Sequence, residues 1–322
     1  MKNWLVTVAV VLLAPVTAHA SFDLMLVSSA NAEPSSFSNR IHRLDPVTGA
    51  YLGSFLVPTK PAGMAASRQR GELYVLGING DLRVYNYSTG ERKAIYNLGI
   101  GGVLDLAISN DESKLYVVNG SSQVWTTSAL TPNSLSSVGS RAGANYRTVS
   151  ISPSGSLFAT DSLGSRLDRF LPSGGSFAFS SFGTIASGSA TMSQVAISGP
   201  SPTGFAVLGP GPSAASGQFM NLSSDNPSGF TSFAFTTFGF SDYRSAVRAH
   251  DGAYFIGTDS SGANTVRVGS LDGLAYYGSS YAFSGVSGGA GKVAIVLAPE
   301  PASLLPVALG ALLILRRRKR SR

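Results

Sequence analysis

Two kinds of short apolar segment alternate along this chain, and their recurrence constrains its fold more than any other feature. First segments, six residues long, begin at residues 62, 104, 147, 193, 244 and 291, which lie 42, 43, 46, 51 and 47 residues apart. Second segments follow a tight turn and begin at residues 72, 114, 156, 203 and 252, with a further copy at residue 22 that lacks a first segment. Gly, Pro, Asn, Asp and Ser bound both kinds, which is typical of β-strands. The pattern predicts an all-β chain built from repeated units.

Each repeated unit has room for four strands. Two further strands follow the segments in most units, as at residues 81–85 and 93–96. Units of about 40 to 50 residues with four strands are typical of β-propeller blades. The first unit lacks a first segment, and the first segment at 291–296 has no successor. Joined, they complete one blade, so we predict that the C-terminal strand closes the ring by pairing with the N-terminal blade.

The number of segments predicts six blades. Six blades divide the 279 residues from Ser21 to Pro299 into about 46 each, and seven blades of about 40 residues are also compatible with that length. A double-layered β-sandwich with the same strands is the alternative architecture. The recurrence counts against a sandwich, because its strands need not repeat in groups of four.

The N-terminus has the pattern of a secretory leader. A short positive start, Met1-Lys2-Asn3, precedes an apolar run from Trp4 to Val16 and the sequence Ala18-His19-Ala20. This A-x-A pattern predicts a signal peptide over residues 1–20 with the mature chain beginning at Ser21. The alternative is a membrane anchor, but about 13 apolar residues fall short of the roughly 20 that a spanning helix needs.

The C-terminus has three parts in a fixed order. Pro299-Glu300-Pro301 precedes an apolar stretch from Ala302 to Leu315, and a basic cluster follows that includes Arg316, Arg317 and Arg318. Fourteen helical residues rise only about 21 Å, less than a hydrocarbon core of roughly 30 Å, so the stretch is short for a permanent anchor. Clustered bases resist translocation, so the stretch can insert transiently and stop export.

This tail, residues 299–322, resembles the PEP-CTERM sorting signal of Gram-negative bacteria. The resemblance implies recognition and removal of the tail by an exosortase-type membrane protease. It also implies export across the inner membrane and release to the cell surface or an exopolysaccharide matrix. The alternative is an ordinary single-span anchor. In either case we expect the propeller domain, residues 21–298, to face outward from the cytoplasm.

A second resemblance lies in the second segment that begins at residue 114. The sequence Leu115-Tyr-Val-Val-Asn-Gly120 resembles the YVTN-type repeat of bacterial surface proteins and lactonase-like propellers. Hydrolases of the lactonase type hold a divalent cation such as calcium with oxygen ligands at the channel mouth. If the resemblance extends to such a site, the candidate ligands are residues at strand starts or ends, namely Asp105, Asn119, Asp161, Asp242 and Asp259. The alternative is that these residues end strands and accept backbone hydrogen bonds in turns.

Charge and composition narrow the functional classes. The formal charge of +7 reflects 24 Lys and Arg against 17 Asp and Glu; without the six bases of residues 316–322, Lys2 and Glu300, 17 bases face 16 acids. A nearly neutral domain gives no basis for a nucleic-acid partner. The absence of cysteine excludes disulfides, thiolate metal sites and cysteine nucleophiles.

Histidine and serine motifs give no catalytic set. His42 and His250 have no metal-ligand spacing; we interpret His42 as lying on a solvated strand face and His250 as part of a hairpin turn. The stretch 285–289 matches G-x-S-x-G, but a strand follows it instead of the helix that a nucleophile elbow requires.

We therefore favour a noncatalytic binding or structural protein without a cofactor, with exopolysaccharide as the candidate partner. Tyr276, Tyr277, Tyr281 and Phe283 are candidates for stacking on sugar rings, or for packing within strands. The metal-dependent hydrolase is the alternative function.

Overall fold

A computed structural model describes the backbone of residues 22–29, 39–45, 50–152, 154–161 and 166–184, and of the strands within 191–297. It describes side-chain surroundings for residues 24–28, 39–45, 50–152, 154–161, 166–179 and 292–296. Phe22–Leu297 forms one compact unit. The predicted leader and the predicted sorting signal lie outside the described residues.

The described strands form six four-stranded antiparallel sheets. In hydrogen-bonded order, the first three sheets contain β24 (Ala290–Leu297), β1 (Phe22–Ser29), β2 (Arg40–Leu44) and β3 (Tyr51–Leu56); β4 (Pro61–Ser67), β5 (Glu72–Gly77), β6 (Asp81–Asn86) and β7 (Arg92–Asn97); and β8 (Asp105–Ile108), β9 (Lys114–Val118), β10 (Gln123–Ser128) and β11 (Ser136–Ser140). The other three contain β12 (Tyr146–Ile151), β13 (Leu157–Asp161), β14 (Arg166–Ser173) and β15 (Ser176–Thr184); β16 (Thr191–Ser198), β17 (Thr203–Gly209), β18 (Gln218–Leu222) and β19 (Phe230–Ala234); and β20 (Tyr243–Arg248), β21 (Ala253–Thr258), β22 (Thr265–Asp272) and β23 (Ala275–Ala282).

The first strand of each sheet lies on the inside of a ring. These inner strands contact one another in the cyclic order β24, β4, β8, β12, β16, β20 and back to β24. Each inner strand overlaps a predicted first segment, and each strand beside it overlaps a predicted second segment. A cycle of antiparallel sheets is the arrangement of a β-propeller, not of two stacked layers. The prediction of an all-β propeller is therefore confirmed.

The ring includes the predicted pairing between the two ends of the domain. β24 pairs with β1 antiparallel, and the register joins Phe22 to Leu297 and Leu24 to Val296. Paired strands leave no open edge at this junction, which protects the domain from edge-to-edge association.

Side chains of neighbouring sheets form the core. One buried cluster joins Tyr74 and Leu82 of the second sheet to Leu106 and Val117 of the third. Corresponding clusters lie between the first and second sheets and between the third and fourth. Exposure rises outward, since all of β13 is buried while most of β7 is exposed. Apolar contact between sheet faces thus holds these parts of the ring together.

Turns between inner and second strands also link neighbouring sheets. Glu112, in the turn of the third sheet, accepts hydrogen bonds from Ser67 Oγ at 2.5 Å and from the backbone amides of Arg68 and Gln69 at 3.1 Å. Its φ of 57° is in the left-handed region that most side chains avoid. These hydrogen bonds to the second sheet offset the cost of that conformation.

A β-bulge lies near the start of the inner strands. In four sheets the register skips one inner-strand residue, at Ala62, Arg147, Ser193 and Arg244, and these residues are the first positions of the predicted first segments. A bulge changes the direction of the residues that follow it. The residues after these bulges are Gly63, Thr148, Gln194 and Ser245, and the charged residues Asp105 and Lys292 occupy the equivalent second position of the other two first segments.

Candidate functional site

Three of the five candidate metal ligands lie among the described residues, at the ends of the sheets where the inner strands begin. Asp105 is the first residue of β8, and its register partner is Val118, which Asn119 follows. Asp161 is the last residue of β13 and pairs with Tyr146 at the start of β12. The other two candidates, Asp242 and Asp259, lie outside the described residues.

Asp105 connects three sheets. Its carboxylate is 3% exposed. Oδ2 accepts a hydrogen bond from the backbone amide of Val149 in β12 at 3.1 Å, and Oδ1 accepts one from Nζ of Lys292 in β24 at 3.1 Å. The backbone amide of Lys292 also donates to Ser28 Oγ at 2.8 Å. Through these two hydrogen bonds the buried carboxylate ties the closing strand to the third and fourth sheets.

Lys292 belongs to the first sheet and Asp105 to the third. The inner strand of the second sheet, β4, contacts both β24 and β8. β4 has Gly63 at the position after its bulge. A Cβ atom there would lie 2.5 Å from the backbone nitrogen of Leu106 and 2.9 Å from the backbone carbon of Asp105. Only glycine is compatible with this close approach of β4 and β8.

A second buried cluster joins the third and fourth sheets. Arg141, which follows β11, donates from Nε to Asp168 Oδ2 at 2.6 Å and from Nη2 to Asp161 Oδ2. Tyr146 donates its hydroxyl to the same Asp168 oxygen at 2.9 Å, and the amide of Asn145 donates to Asp161 Oδ1 at 3.0 Å. Asp161 is 2% exposed and Asp168 is fully buried. The guanidinium therefore bridges two carboxylates that have almost no access to water.

The pKa values of this cluster follow from burial and charge. Burial alone lowers the pKa of Arg141, but hydrogen bonds and charges from Asp168 and Asp161 outweigh it, so the pKa is raised. Burial, followed by the charge of Asp168, raises the pKa of Tyr146 well above its usual value. At neutral pH Arg141 is charged and Tyr146 keeps its proton, so both act as donors.

These contacts bear on the candidate metal site. Asp105 and Asp161 are each bonded to a cationic side chain. Asn119 accepts from Ser121 Oγ at 2.7 Å and donates to Gly101 O at 3.4 Å, as expected of a turn residue. Within the described part of the chain, no group of three or more His, Asp or Glu side chains is arranged to hold a metal ion.

His42 lies in a different environment from the predicted one. The prediction of a solvated strand face is wrong, because His42 is 2% exposed in β2 and its ring lies 6.1 Å from that of Tyr51. Burial, followed by the positive charge of Arg40, lowers the pKa of His42 to about 4. The imidazole is therefore neutral at physiological pH. The side chains of His250 and of the candidate aromatic residues lie outside the described residues.

The sequence prediction missed Arg141, Tyr146, Asp168 and Lys292. For Lys292 a signal exists: the second residues of the six first segments are Gly63, Asp105, Thr148, Gln194, Ser245 and Lys292. Two of them are charged, with opposite signs, at equivalent positions of a predicted ring. Aligning the repeats position by position therefore points to the pair. No comparable signal marks the Arg141 cluster.

The targeting residues cannot be placed in the same way. Those of the predicted leader and tail lie outside the described residues: Ala18, Ala20, Pro299, Glu300, Pro301, Arg316, Arg317 and Arg318. Within the described ranges, no helix has the length and apolar character needed to cross a membrane.

Comparison with known proteins supports the fold. No protein-family model matches the sequence, and no curated protein matches it. A chain of a nidogen/laminin complex is similar, with a TM-score of 0.66 and 12% identity over 85% of this chain and 98% of that one. A protein of unknown function from Bacteroides caccae has a TM-score of 0.56 and 11% identity over the same shares of the two chains. A putative 6-phosphogluconolactonase from Bacteroides uniformis has a TM-score of 0.53 and 13% identity over 80% and 81%. At these identities the likeness shows a shared fold alone.

Proposed function

We propose that this protein is an exported, noncatalytic β-propeller with a binding or structural role at the cell surface or in the exopolysaccharide matrix of a Gram-negative bacterium. The observation that carries the noncatalytic role is the engagement of Asp105 and Asp161. Each is buried and bonded to a cationic side chain that joins neighbouring sheets. Carboxylates that are buried and bonded to cationic side chains do not present open ligands to a substrate or metal ion.

We also propose that the ring has six blades, one for each four-stranded sheet. The support is the cyclic order of the six inner strands and the agreement of each with a repeated first segment. The joint blade of β24 with β1, β2 and β3 accounts for the unmatched segments at the two ends of the domain.

The proposed route to the surface depends on the terminal sequences. Signal cleavage after Ala20 starts the mature chain at Ser21, and transient insertion of residues 302–315 holds the tail in the membrane. An exosortase-type protease then removes the tail that begins at Pro299-Glu300-Pro301. Loss of the basic cluster leaves the nearly neutral propeller, for which exopolysaccharide is a better partner than nucleic acid.

Mass spectrometry of protein purified from the native host tests this route. We expect an N-terminus at Ser21 and a C-terminus that lacks residues 316–322. The matched control is a variant with Pro299→Ala and Pro301→Ala, in which we expect the tail to remain. Recovery of wild-type protein that is intact through Arg322 would contradict sorting and support a retained anchor.

Two assays test the noncatalytic role. We expect deletion of the gene to alter matrix composition or cell attachment; unchanged matrix and attachment would contradict the surface role. We expect no lactone hydrolysis that depends on added divalent cation and is abolished by chelator. Cation-dependent turnover that is lost in Asp105→Asn would instead support the hydrolase alternative.

A further inference from the structure

The predicted signal cleavage site and the predicted sorting motif lie next in sequence to two residues that are paired with each other in the first sheet. Phe22 at the start of β1 is the register partner of Leu297 at the end of β24. Ser21 alone separates Phe22 from the predicted signal cleavage after Ala20, and Ala298 alone separates Leu297 from Pro299. A residue spans at most about 3.6 Å of extended chain. The sorting motif therefore begins within about 7 Å, along the chain, of a strand that is paired in a sheet.

Three kinds of contact hold β24 in place. Its backbone pairs with β1 from Leu297 back to Ala290. Its side chains Val293, Ala294 and Val296 are at most 4% exposed. Lys292 adds the bonds to Ser28 and Asp105 described above. The closing strand is thus fixed by its own sheet and by an ion pair that reaches the third sheet.

We propose that closure of the ring by β24 limits removal of the C-terminal tail, an inference that rests on the proposed sorting function. A protease binds extended residues on both sides of the bond that it cleaves, and the residues of β24 that precede the sorting motif are not free to bind while they are paired in a sheet. When opening and closing are fast, proteolysis follows the equilibrium population of the open form. The tail is therefore removed mainly from chains whose β24 end has opened or has not yet paired. The ion pair of Lys292 with Asp105 is one of the contacts that lower that population.

Pulse-chase labelling of full-length protein in the native host tests the proposal, with conversion to the form without the tail as the readout. Lys292→Met keeps the aliphatic stem but removes the charge-assisted bond to Asp105. We expect conversion to become about tenfold faster, because the open population rises when that bond is lost. The matched control is Lys93→Met, which breaks the ion pair with Glu72 in the second sheet. We expect it to leave the rate unchanged.

A crosslink between β1 and β24 provides an independent test. The chain contains no cysteine, so Leu24→Cys with Val296→Cys offers one defined disulfide between register partners. We expect the oxidised variant to convert at least tenfold more slowly than the same variant after reduction. The control crosslink, Leu115→Cys with Thr127→Cys, joins partners in β9 and β10. We expect it to have no effect.

The outcomes separate the two proposals. Equal conversion rates in wild type, Lys292→Met and the Leu24–Val296 crosslinked variant would overturn the gating proposal and leave sorting intact. Absence of tail removal in every variant, including wild type, would overturn both. If Lys292→Met is degraded before it can be measured, the crosslink decides: slowing that reduction reverses supports the proposal, and an unchanged rate overturns it.

Discussion

Arg141 balances the charge of a buried cluster that also contains Asp161 and Asp168. Both carboxylates bond to the one guanidinium, and neither is more than 2% exposed. Replacing a whole buried ion pair by apolar residues can be neutral, whereas removing one partner leaves a charge without compensation. The cluster is therefore most sensitive to loss of its single arginine.

We predict that Arg141→Met lowers the free energy of unfolding by about 3–5 kcal/mol, because two carboxylates lose their shared cation in a dry environment. Urea denaturation at pH 7 measures the change. Lys93→Met is the control, since its ion pair with Glu72 lies at the surface and contributes less than about 1 kcal/mol. Similar small losses in both variants would show that the cluster does not depend on Arg141.

His42 makes stability depend on pH in the opposite direction from a histidine that gains an acidic partner. Its pKa is about 4 in the folded protein, below the ordinary value of 6.5. As pH falls through this window the unfolded chain binds a proton that the folded protein rejects. The stability contributed by the neutral ring is complete above pH 6.5 and is lost progressively towards pH 4.

We predict that this histidine alone reduces the free energy of unfolding by about 2 kcal/mol between pH 7 and pH 5. In His42→Phe, which retains a buried ring, we expect the free energy of unfolding to show no such decrease between pH 7 and pH 5, even if its value at pH 7 differs from that of the wild type. In the control His250→Gln, at a position predicted to be a turn, we expect the same decrease as in the wild type. Denaturation at pH 7, 6 and 5 gives the comparison, and an unchanged slope in His42→Phe would assign the pH dependence to another group.

At the level of elements, β4 and β8 approach closely at one position. Gly63 follows a β-bulge in β4, and its missing side chain leaves room for the backbone of Leu106 and Asp105. This approach places β8 within reach of Lys292 from the closing strand. The geometry of the inner strands and the ion pair therefore depend on each other.

We predict that Gly63→Ala lowers the free energy of unfolding by about 1–3 kcal/mol, because the new Cβ atom meets backbone atoms that cannot rotate away. Gly101→Ala is the matched control: no atom lies within 4 Å of its Cβ position, and its φ is not left-handed. We expect the control to change stability by less than about 0.5 kcal/mol. Equal effects in thermal unfolding would mean that the inner strands adjust to the methyl group.

At the scale of the whole molecule, stability depends on a strand contributed by the far end of the chain. β24 supplies the inner strand of the sheet that begins with β1, and its side chains join the core between the first and second sheets. Without it, the edge of β1 and the apolar face of β4 would be open to water. The ring therefore cannot be completed until almost all of the domain has been synthesised.

We predict that a chain ending at Ala298 unfolds in one cooperative transition, whereas a chain ending at Gly289 loses that transition and associates. Each buried apolar side chain lost with β24 removes roughly 1.5–3 kcal/mol, against a typical domain stability of about 5–15 kcal/mol. Calorimetry and light scattering of the two truncated proteins measure the outcome. A cooperative transition at the same temperature in both would contradict a structural role for β24.

The order of apolar and turn-forming residues in each repeat determined where the strands lie. That information is local, because a strand needs only a short apolar run between turn formers. The unmatched segments at residues 22 and 291 were enough to predict the pairing of β1 with β24, since a repeated unit lacking one strand must obtain it elsewhere. For the described strands, the sequence thus anticipated the inner and second positions of the ring.

Contacts between sheets were decided by the tertiary structure. Asp105 and Lys292 lie 187 positions apart, and they meet because the ring brings β24 and β8 to the two sides of β4. His42 is buried, and Arg141 bonds to two carboxylates, because neighbouring sheets pack face to face. The alternation of apolar and polar residues along a single strand does not encode these contacts. A local pattern determines the strand to which a residue belongs. The residues that it contacts in other sheets depend on which strands the closed ring brings close together.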